Sequence, residues 1–277
     1  MKSVTKRNGE ITAFDESKFK SSLRRVGATE EEIERIANYI HNQFVDGMST
    51  HALYKMAYAR LRSQSSKTAG RYRLKKAIME LGPTGHPFEQ LVGELFKSEG
   101  FKVQVGIVAK GACVDHELDV VAEKDNSRIM VECKFHNDIR RKSDVKVALY
   151  IQSRFVDMRQ AWKQQSADSQ MIYEGWIVTN TRFTGDALQY GLCSGLKMIS
   201  WDYPIDKGLR DWIDRAGFHP ITVLQSLTKA EKTKLIDADI VLCRNILHDP
   251  TVLNTLNKSD RQIEKTLEEA RLIVEKI

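Results

Sequence analysis

The middle of the sequence alternates between stretches with a helical apolar period and stretches with the two-residue period of a strand, and this order limits the fold most strongly. Apolar residues at 88–96 recur at helical spacing, Gly100 ends that helix, and apolar residues then alternate from Phe101 to Ile107. Further strands are predicted at 118–122, 129–135, 176–179 and 196–201, with helices at 143–165 and 184–193. Strands interleaved with helices predict an α/β sheet packed by helices.

Two breaks divide the chain into three predicted domains. Residues 81–87 contain two prolines and two glycines, which end a helix and begin a new unit, and a softer break lies near Pro204. We therefore expect domains at 1–82, 83–204 and 205–277. The first should be mostly helical behind a β-hairpin, because Asn8-Gly9 favours a two-residue turn. Its helices are predicted at 16–26, from Thr29 towards Phe44, onward from Thr50, and at 67–81. The last domain should be all helical.

Charge and composition limit the classes of partner and the cellular location that we expect for this protein. The net charge is +6 and the pI is near 9.0, and residues 1–82 carry an excess of seven bases. Such a block favours an anionic partner, although a solvated helix face gives the same pattern. No run approaches the length of a membrane span, and the first residues lack the apolar core of a secretory signal. The four cysteines are too widely spaced for a zinc ribbon or a disulfide framework. We expect a cytoplasmic protein that does not contact a membrane.

Two carboxylates and an amine carry the strongest chemical signal. Glu132 and Lys134 lie two residues apart on one predicted strand and therefore share a face, with Cys133 on the opposite face. An antiparallel neighbour can place Asp119 beside them. Glu89, next to the apolar stripe of the first helix, can reach the same sheet. An ion pair on a solvated strand face is the alternative interpretation.

These groups suit a divalent metal centre. Converging carboxylates repel each other unless a cation lies between them, and oxygen ligands are preferred by Mg²⁺ and Mn²⁺. Asp119 and Glu132 are the candidate metal ligands, and the carbonyl of Cys133 is a candidate third ligand. A neighbouring lysine such as Lys134 can orient or deprotonate water, or pair with a phosphate. The pattern predicts hydrolysis of a phosphodiester.

The same stretch resembles the Mrr-like restriction endonucleases of the PD-(D/E)xK superfamily, over about residues 86–203. The motifs that carry the resemblance are Phe88-Glu89, Gly100-Phe101, Lys110-Gly111, Leu118-Asp119-Val120, Val131-Glu132-Cys133-Lys134 and Gly175-Trp176-Ile177-Val178-Thr179-Asn180. The resemblance implies a mixed sheet flanked by helices, a metal held by Asp119 and Glu132, and a water assisted by Lys134. Glu89 matches a helix carboxylate that completes the site. The glycine-rich approach to the aspartate in many relatives is replaced here by residues 113–117, so substrate preference stays open.

The basic N-terminal hairpin is a candidate phosphate site. Lys6 and Arg7 precede the tight turn, and Thr50 at a helix N-terminus adds free N–H groups. The segments Val4-Thr5-Lys6-Arg7-Asn8-Gly9, Phe14-Asp15, Met48-Ser49-Thr50 and Tyr72-Arg73-Leu74 resemble an ATP-cone domain over about residues 2–80.

That resemblance implies a bound ATP or dATP that acts as a regulator. Val4 would line the base pocket, and Lys6, Arg7 and Lys18 would meet phosphates. Thr50 would cap the third helix near the nucleotide, and Arg71 or Lys75 would add charge from the last helix. The sequence has no G-x-x-x-x-G-K-[ST] motif, which argues against motor-type ATP hydrolysis.

The C-terminal region resembles a degenerate helix-hairpin-helix, with short helices at 221–227 and 229–236. The hairpin that contacts DNA phosphates needs glycines, whereas residues 237–239 read Asp-Ala-Asp. A protein-packing or dimerisation pair of helices is the alternative.

Together with the two resemblances, these features predict a Mg²⁺- or Mn²⁺-dependent DNA endonuclease that responds to adenine nucleotide. The resemblance to restriction endonucleases implies a role in restriction or phage defence. One alternative is a catalytically silent, DNA-binding nucleotide sensor that uses the nuclease fold as a scaffold. Another is a phosphohydrolase that acts on the nucleotide itself. Cutting both strands needs two active sites or two encounters, so a homodimer or higher homo-oligomer is compatible with this function.

Overall fold

The computed structural model describes residues 2–6, 9–165 and 170–275. Its fold is mixed α/β, as the sequence predicts: a small N-terminal sheet with helices, a central five-stranded sheet, and C-terminal helices. Within the described residues, none of the helices combines the length and the apolar character needed to cross a bilayer.

A three-stranded sheet organises the N-terminal region. β1 (Ser3–Thr5) lies between β2 (Ile11–Ala13), which runs antiparallel to it, and β3 (Met48–Ser49), which runs parallel. The antiparallel hairpin is therefore as predicted. Its register places Lys6 opposite Glu10, so three residues rather than the predicted two separate the paired positions, and Arg7 and Asn8 of this turn lie outside the described residues. The helices of this region are α1 (Glu16–Arg25), α2 (Glu30–Gln43) and α3 (Thr50–Gln64). Their apolar faces bury a core around Val4.

Polar caps explain where these helices begin. Asp15 accepts a hydrogen bond from the Lys18 N–H, and Thr29 forms a reciprocal capping box with Glu32. α3 is capped by Ser49, whose side chain accepts from the Ala52 N–H. The prediction that Thr50 caps this helix is therefore wrong by one residue: Thr50 is the first helical residue.

The single helix predicted at 67–81 is two helices, α4 (Ser66–Tyr72) and α5 (Leu74–Met79), separated at Arg73. The two halves bury their apolar faces in different cores. Ala69 packs in the N-terminal core, whereas Leu74 packs in the core beneath the central sheet. This division of packing is the physical reason for the break, and it makes α5 the link between the two regions.

The central sheet has the strand order β10-β8-β6-β5-β4, antiparallel between β4, β5 and β6 and parallel between β6, β8 and β10. Its elements, in chain order, are α6 (His86–Ser98), β4 (Lys102–Lys110), β5 (Asp115–Lys124), β6 (Ser127–Lys134), β7 (Lys142–Ser143), α7 (Val145–Gln165), β8 (Ile172–Thr179), β9 (Arg182–Phe183), α8 (Gly185–Cys193) and β10 (Lys197–Ile199). β7 and β9 form a separate parallel pair that the sequence analysis missed. Two residues per strand carry too little periodicity to be recognised.

Both faces of the central sheet are covered. One face packs on α6 with residues such as Val120 and Val131, and the other packs on α7 and α8 with residues such as Met130 and Ile177. In β4, Val105 belongs to the first face and Ile107 to the second, although strand alternation alone would put them together. Between them, Gly106 has a φ of +63°, a conformation that favours glycine and that lets the strand change faces.

The C-terminal region packs against α6 in the same core as the first face of the sheet. Its helices are α9 (Leu209–Ala216), α10 (Lys229–Ile236), α11 (Cys243–His248) and α12 (Asp260–Val274). The helix predicted at 221–227 is a single 3₁₀ turn, Ile221–Val223. Glu269 of α12 accepts hydrogen bonds from the main-chain N–H groups of Gln225 and Ser226, which holds that segment in a loop. The predicted helix pair at 221–236 is thus wrong for its first member.

Candidate active site

The pairing of β5 with β6 brings Asp119 to Glu132 and Lys134. The main-chain ladder between the two strands ends at the pair Val120–Val131. Beyond it, the Cys133 N–H donates to Oδ2 of Asp119 at 2.7 Å. Because the N–H and C=O groups of one strand residue point to the same neighbouring strand, the Cys133 carbonyl also faces β5 at this position.

Glu132 is buried, with 4% of its surface exposed, and is bound by two cations. Its Oε1 accepts from Lys134 Nζ at 2.5 Å, and its Oε2 accepts from Arg154 Nη1 at 2.7 Å. Glu132 and Lys134 therefore share a face, as strand alternation predicts. The carboxylate is held in one orientation by charge-assisted hydrogen bonds on both oxygens.

Arg154 is the residue of this site that the sequence analysis missed. It lies on α7, its side chain is 11% exposed, and it also donates to the main-chain carbonyl of Glu117. The available signal was its position beside Ile151 and Phe155, within the buried stripe of α7. A charged residue on the apolar face of a helix normally has a partner there.

Unlike Glu132, neither Asp119 nor Glu89 forms an ion pair with a Lys or Arg of the described part of the chain. Burial, followed by the negative charges of Glu132 and Glu89, raises the pKa of Asp119 to about 7, and Lys134 opposes this only weakly. Burial also raises the pKa of Glu89, while His86, with its Nδ1 at 3.5 Å from Glu89 Oε2, lowers it. The three carboxylates of the site therefore outnumber its two cations, Lys134 and Arg154.

These donors fit an oxygen-preferring divalent ion. The site offers the carboxylates of Asp119 and Glu132 and the Cys133 carbonyl, which matches a Mg²⁺ or Mn²⁺ ion that keeps several waters. In the part of the chain that the structure describes, no three His, Cys, Asp or Glu side chains are already grouped as a metal site. The Cys133 side chain is buried in the core beneath the sheet, and this burial raises the pKa of its thiol well above the usual value, so only its carbonyl is a candidate ligand.

The two histidines near the site are engaged in the scaffold. His116 Nε2 lies 2.7 Å from Asp157 Oδ2 of α7, and His136 Nε2 lies 2.9 Å from the Ser143 hydroxyl of β7. Asp157 also accepts from the Cys113 N–H at 2.8 Å. These contacts fix the loop before β5 and the segment after β6, the two connections that border the site.

The N-terminal hairpin brings together three of the predicted nucleotide-binding residues. Val4 pairs with Met48 across β1 and β3, and the next pair, Thr5 with Ser49, immediately precedes Lys6 and Thr50. Lys6 is exposed and forms an ion pair with Glu10 at 3.1 Å. Arg7 lies outside the described residues. Lys18 is exposed in the first turn of α1, which follows the opposite end of the hairpin, where Ala13 pairs with Ser3.

Arg71 and Lys75 have other partners than the hairpin. Arg71 is 3% exposed and donates to the main-chain carbonyls of Ile273 and Glu275 at the end of α12. Lys75 donates to the Asn180 carbonyl at 2.8 Å and lies 4.3 Å from the centre of the Trp201 ring. Both side chains join α4 and α5 to the rest of the molecule. These contacts do not support the prediction that Arg71 or Lys75 adds charge to a nucleotide site at the hairpin.

Three family models match the chain. A restriction endonuclease domain matches residues 82–202, an ATP cone domain matches residues 2–78, and a domain described as AF1548-like, C-terminal, matches residues 219–274.

The chain is also similar to individual proteins. It is 32% identical over 184 residues to an uncharacterized protein of Archaeoglobus fulgidus, covering 66% of this chain and 99% of that one. A crystal structure of AF1548, a protein of unknown function, is 30% identical, with a TM-score of 0.55 over 69% of this chain and 98% of the other. The restriction endonuclease MspJI, in complex with an oligonucleotide, is 13% identical, with a TM-score of 0.32 over 49% of this chain and 30% of that one.

Proposed function

Because the chain belongs to the family of the Archaeoglobus fulgidus protein and carries a restriction endonuclease domain behind an ATP-cone domain, we propose that it is a metal-dependent DNA endonuclease regulated by ATP or dATP. The observation that carries the proposal is the charge balance of the candidate active site. Asp119 is partly buried beside Glu132 and Glu89, and burial, followed by the negative charges of these acids, raises the pKa of its carboxyl, while Lys134, already paired with Glu132, opposes this only weakly. A divalent ion would supply the missing charge.

Each residue has a role that follows from its contacts. Asp119, Glu132 and the Cys133 carbonyl would hold Mg²⁺ or Mn²⁺, which supplies an activated water and neutralises charge on the phosphate. Lys134 would donate to a phosphate oxygen or orient the attacking water once its amine leaves Glu132. Glu89, whose raised pKa favours the protonated form more than usual, would complete the site from α6.

At the hairpin, Val4, Lys6, Arg7, Lys18 and Thr50 are the proposed nucleotide-binding residues. The adjacency of Lys6 and Thr50 at one end of the small sheet supports this assignment. Exposed amines and the free N–H groups of a helix N-terminus suit phosphates. A role in restriction or phage defence is a further proposal that rests on the similarity of the domain.

A second candidate function is a DNA-binding nucleotide sensor without cleavage. It is favoured by one observation: Glu132 is already paired with Lys134 and Arg154, so this carboxylate is neutralised without a metal.

A cleavage assay separates the two functions. Supercoiled, linear and branched DNA would be incubated with Mg²⁺, Mn²⁺ or EDTA, each with and without ATP and dATP. We expect metal-dependent cleavage that Asp119→Ala lowers by about a thousandfold, the size of effect seen when a key charged or hydrogen-bonding group is removed from an active site. Asp115→Ala is the matched control, because Asp115 is an exposed carboxylate on the same strand. A folded wild-type protein that cleaves none of these substrates under any condition would favour the sensor.

A further inference from the structure

A cleft of about 1010 Å³ lies where the three regions of the molecule meet. Its walls come from α3 and α5, from the link that leads into α6, from the segment after β6, and from α10. We refer to it as the junction cleft. None of the three family matches assigns a ligand to it.

The junction cleft lies next to the candidate active site. His86 lines the cleft, and its Nδ1 lies 3.5 Å from Oε2 of Glu89. Asn137, three residues after Lys134, also lines the cleft and donates to the Pro83 carbonyl at 3.2 Å. The cleft therefore begins beside the end of the site at which Glu89 lies.

Four bases line the junction cleft and come from both ends of the sequence. Arg62 and Arg73 belong to the N-terminal region, and Lys229 and Lys232 belong to α10. Arg62 and Lys229 are exposed, and neither forms an ion pair with any described carboxylate within 4.0 Å. The acids of the cleft are Glu80, which is paired with Arg73, and Asp237 and Asp239 at the far end of α10. The end between α3 and the start of α10 is therefore basic.

Lys232 is the most deeply buried of the four bases. It is 7% exposed, and its Nζ donates to the Thr222 carbonyl at 2.9 Å. Arg73 donates to the same carbonyl at 3.0 Å. Burial and the charge of Arg73 lower the pKa of Lys232 to about 8. Lys232 and Arg73 thus share one neutral acceptor, and Arg73 is also paired with Glu80. Nε2 of Gln225, which also lines the cleft, has no partner among the described residues. A phosphate near Lys232 would supply the charged acceptor that the Thr222 carbonyl does not.

An aromatic ring faces the same space. Tyr58 lines the cleft and ends a stack of near-parallel rings, 6.1 Å from Tyr54, which lies 5.2 Å from Tyr72. A basic groove with an aromatic platform is the arrangement that binds single-stranded nucleic acid, because phosphates pair with the bases of the protein and nucleobases stack on the ring.

We propose that the junction cleft binds a single-stranded segment of the DNA substrate as it leaves the active site. This proposal rests on the proposed nuclease function and names the substrate feature that the enzyme would prefer: a duplex with an unpaired flank. The cleft volume of about 1010 Å³ is at the upper end of the range of about 300–1,000 Å³ for sites that enclose a small ligand.

The proposal is tested by measuring how tightly the protein binds three DNA ligands: a short fluorescent single strand, a duplex with an unpaired flank, and a blunt duplex. Titrations in EDTA prevent cleavage and are repeated at several salt concentrations. The variant is Arg62→Ala with Lys229→Ala, two exposed residues whose loss does not threaten the core. The matched control is Arg35→Ala with Lys265→Ala, which removes the same charge from exposed positions of α2 and α12.

We expect the cleft variant to bind the single strand and the flanked duplex about tenfold more weakly than the control variant does. Its slope of log affinity against log salt should fall by about 1.4, because each phosphate contact to a single strand contributes about 0.7. Binding of the blunt duplex should change equally in both variants. Equal affinities and slopes of the two variants for the single strand would overturn the proposal, whether or not the wild type cleaves DNA. A cleft variant that loses ATP affinity and keeps its affinity for the single strand would also overturn it, by assigning the cleft to a free nucleotide.

Discussion

The candidate active site and the N-terminal hairpin both gather charged side chains at the end of a sheet, but they hold these charges in different ways. At the active site, Glu132 is buried and both of its oxygens are bound by cations, one from β6 and one from α7. At the hairpin, Lys6 is exposed and forms an ion pair with its neighbour Glu10. The difference indicates that the protein core preorganises the first site, whereas a ligand would have to organise the second. Breaking the ion pairs of Glu132 should therefore lower the free energy of unfolding. Substitutions at the hairpin should change ligand affinity and have little effect on stability.

The largest effect on stability is expected from Arg154. Arg154→Met leaves Glu132 buried with Lys134 as its one remaining cation, and removing one partner of a buried ion pair typically costs about 3 kcal/mol. Urea unfolding measures the change. Arg159→Met is the control on the same helix, because Arg159 is exposed and should change the free energy of unfolding by about 0.5 kcal/mol or less. Equal losses in the two variants would show that the core does not depend on this pair.

A smaller effect, dependent on pH, is expected from Asp119. Its carboxyl has a pKa of about 7 in the folded protein and 3.8 as the reference value, so between these pH values only the folded state keeps the proton. The free energy of unfolding therefore falls as the pH rises from 4 to 7, and the full cost is present above pH 7. Asp119→Asn lacks this cost and should stabilise the protein by about 2 kcal/mol at pH 8 and by little at pH 4.

Thermal unfolding of both proteins at pH 4 and pH 8, in EDTA, measures this difference. Added Mg²⁺ should stabilise the wild type at pH 8 more than it stabilises Asp119→Asn, because the ion replaces the missing positive charge. A stability difference that is the same at both pH values would contradict the charge imbalance on which the metal site depends.

The smallest effect on stability is expected at the hairpin, where the change in ATP affinity should be much larger than the change in stability. Lys6→Ala removes an exposed ion pair worth about 0–1 kcal/mol, so its unfolding should be nearly unchanged, while its affinity for ATP falls about tenfold through the loss of a phosphate contact. Calorimetry with ATP and dATP measures the affinity. Arg71→Met is the opposite control: it should destabilise the protein and leave ATP affinity unchanged, because Arg71 binds the end of α12. A loss of ATP affinity in Arg71→Met but not in Lys6→Ala would show that Arg71, and not Lys6, takes part in nucleotide binding.

Much of the fold was predictable because its signals are local. Apolar periodicity identified α6, α7 and the long strands of the central sheet, and the predicted bounds of α1 and α2 agree with the structure within about a residue. Two of the errors share one cause. The helix predicted at 67–81 breaks at Arg73, and the helix predicted at 221–227 is a single 3₁₀ turn, because in each case contacts with distant residues compete with local propensity.

Local sequence patterns were sufficient for the class of fold, for the resemblance to two families and for the placing of Glu132 and Lys134 on one strand face, because strand alternation fixes which neighbours share a face. What these side chains contact depends on the tertiary structure. The place of Arg154 beside Glu132, the use of Arg71 and Lys75 as links between regions, and the junction cleft all depend on residues distant in sequence. Burial and charge at these positions depend on which surfaces meet when the regions pack, and no periodicity within one segment encodes that.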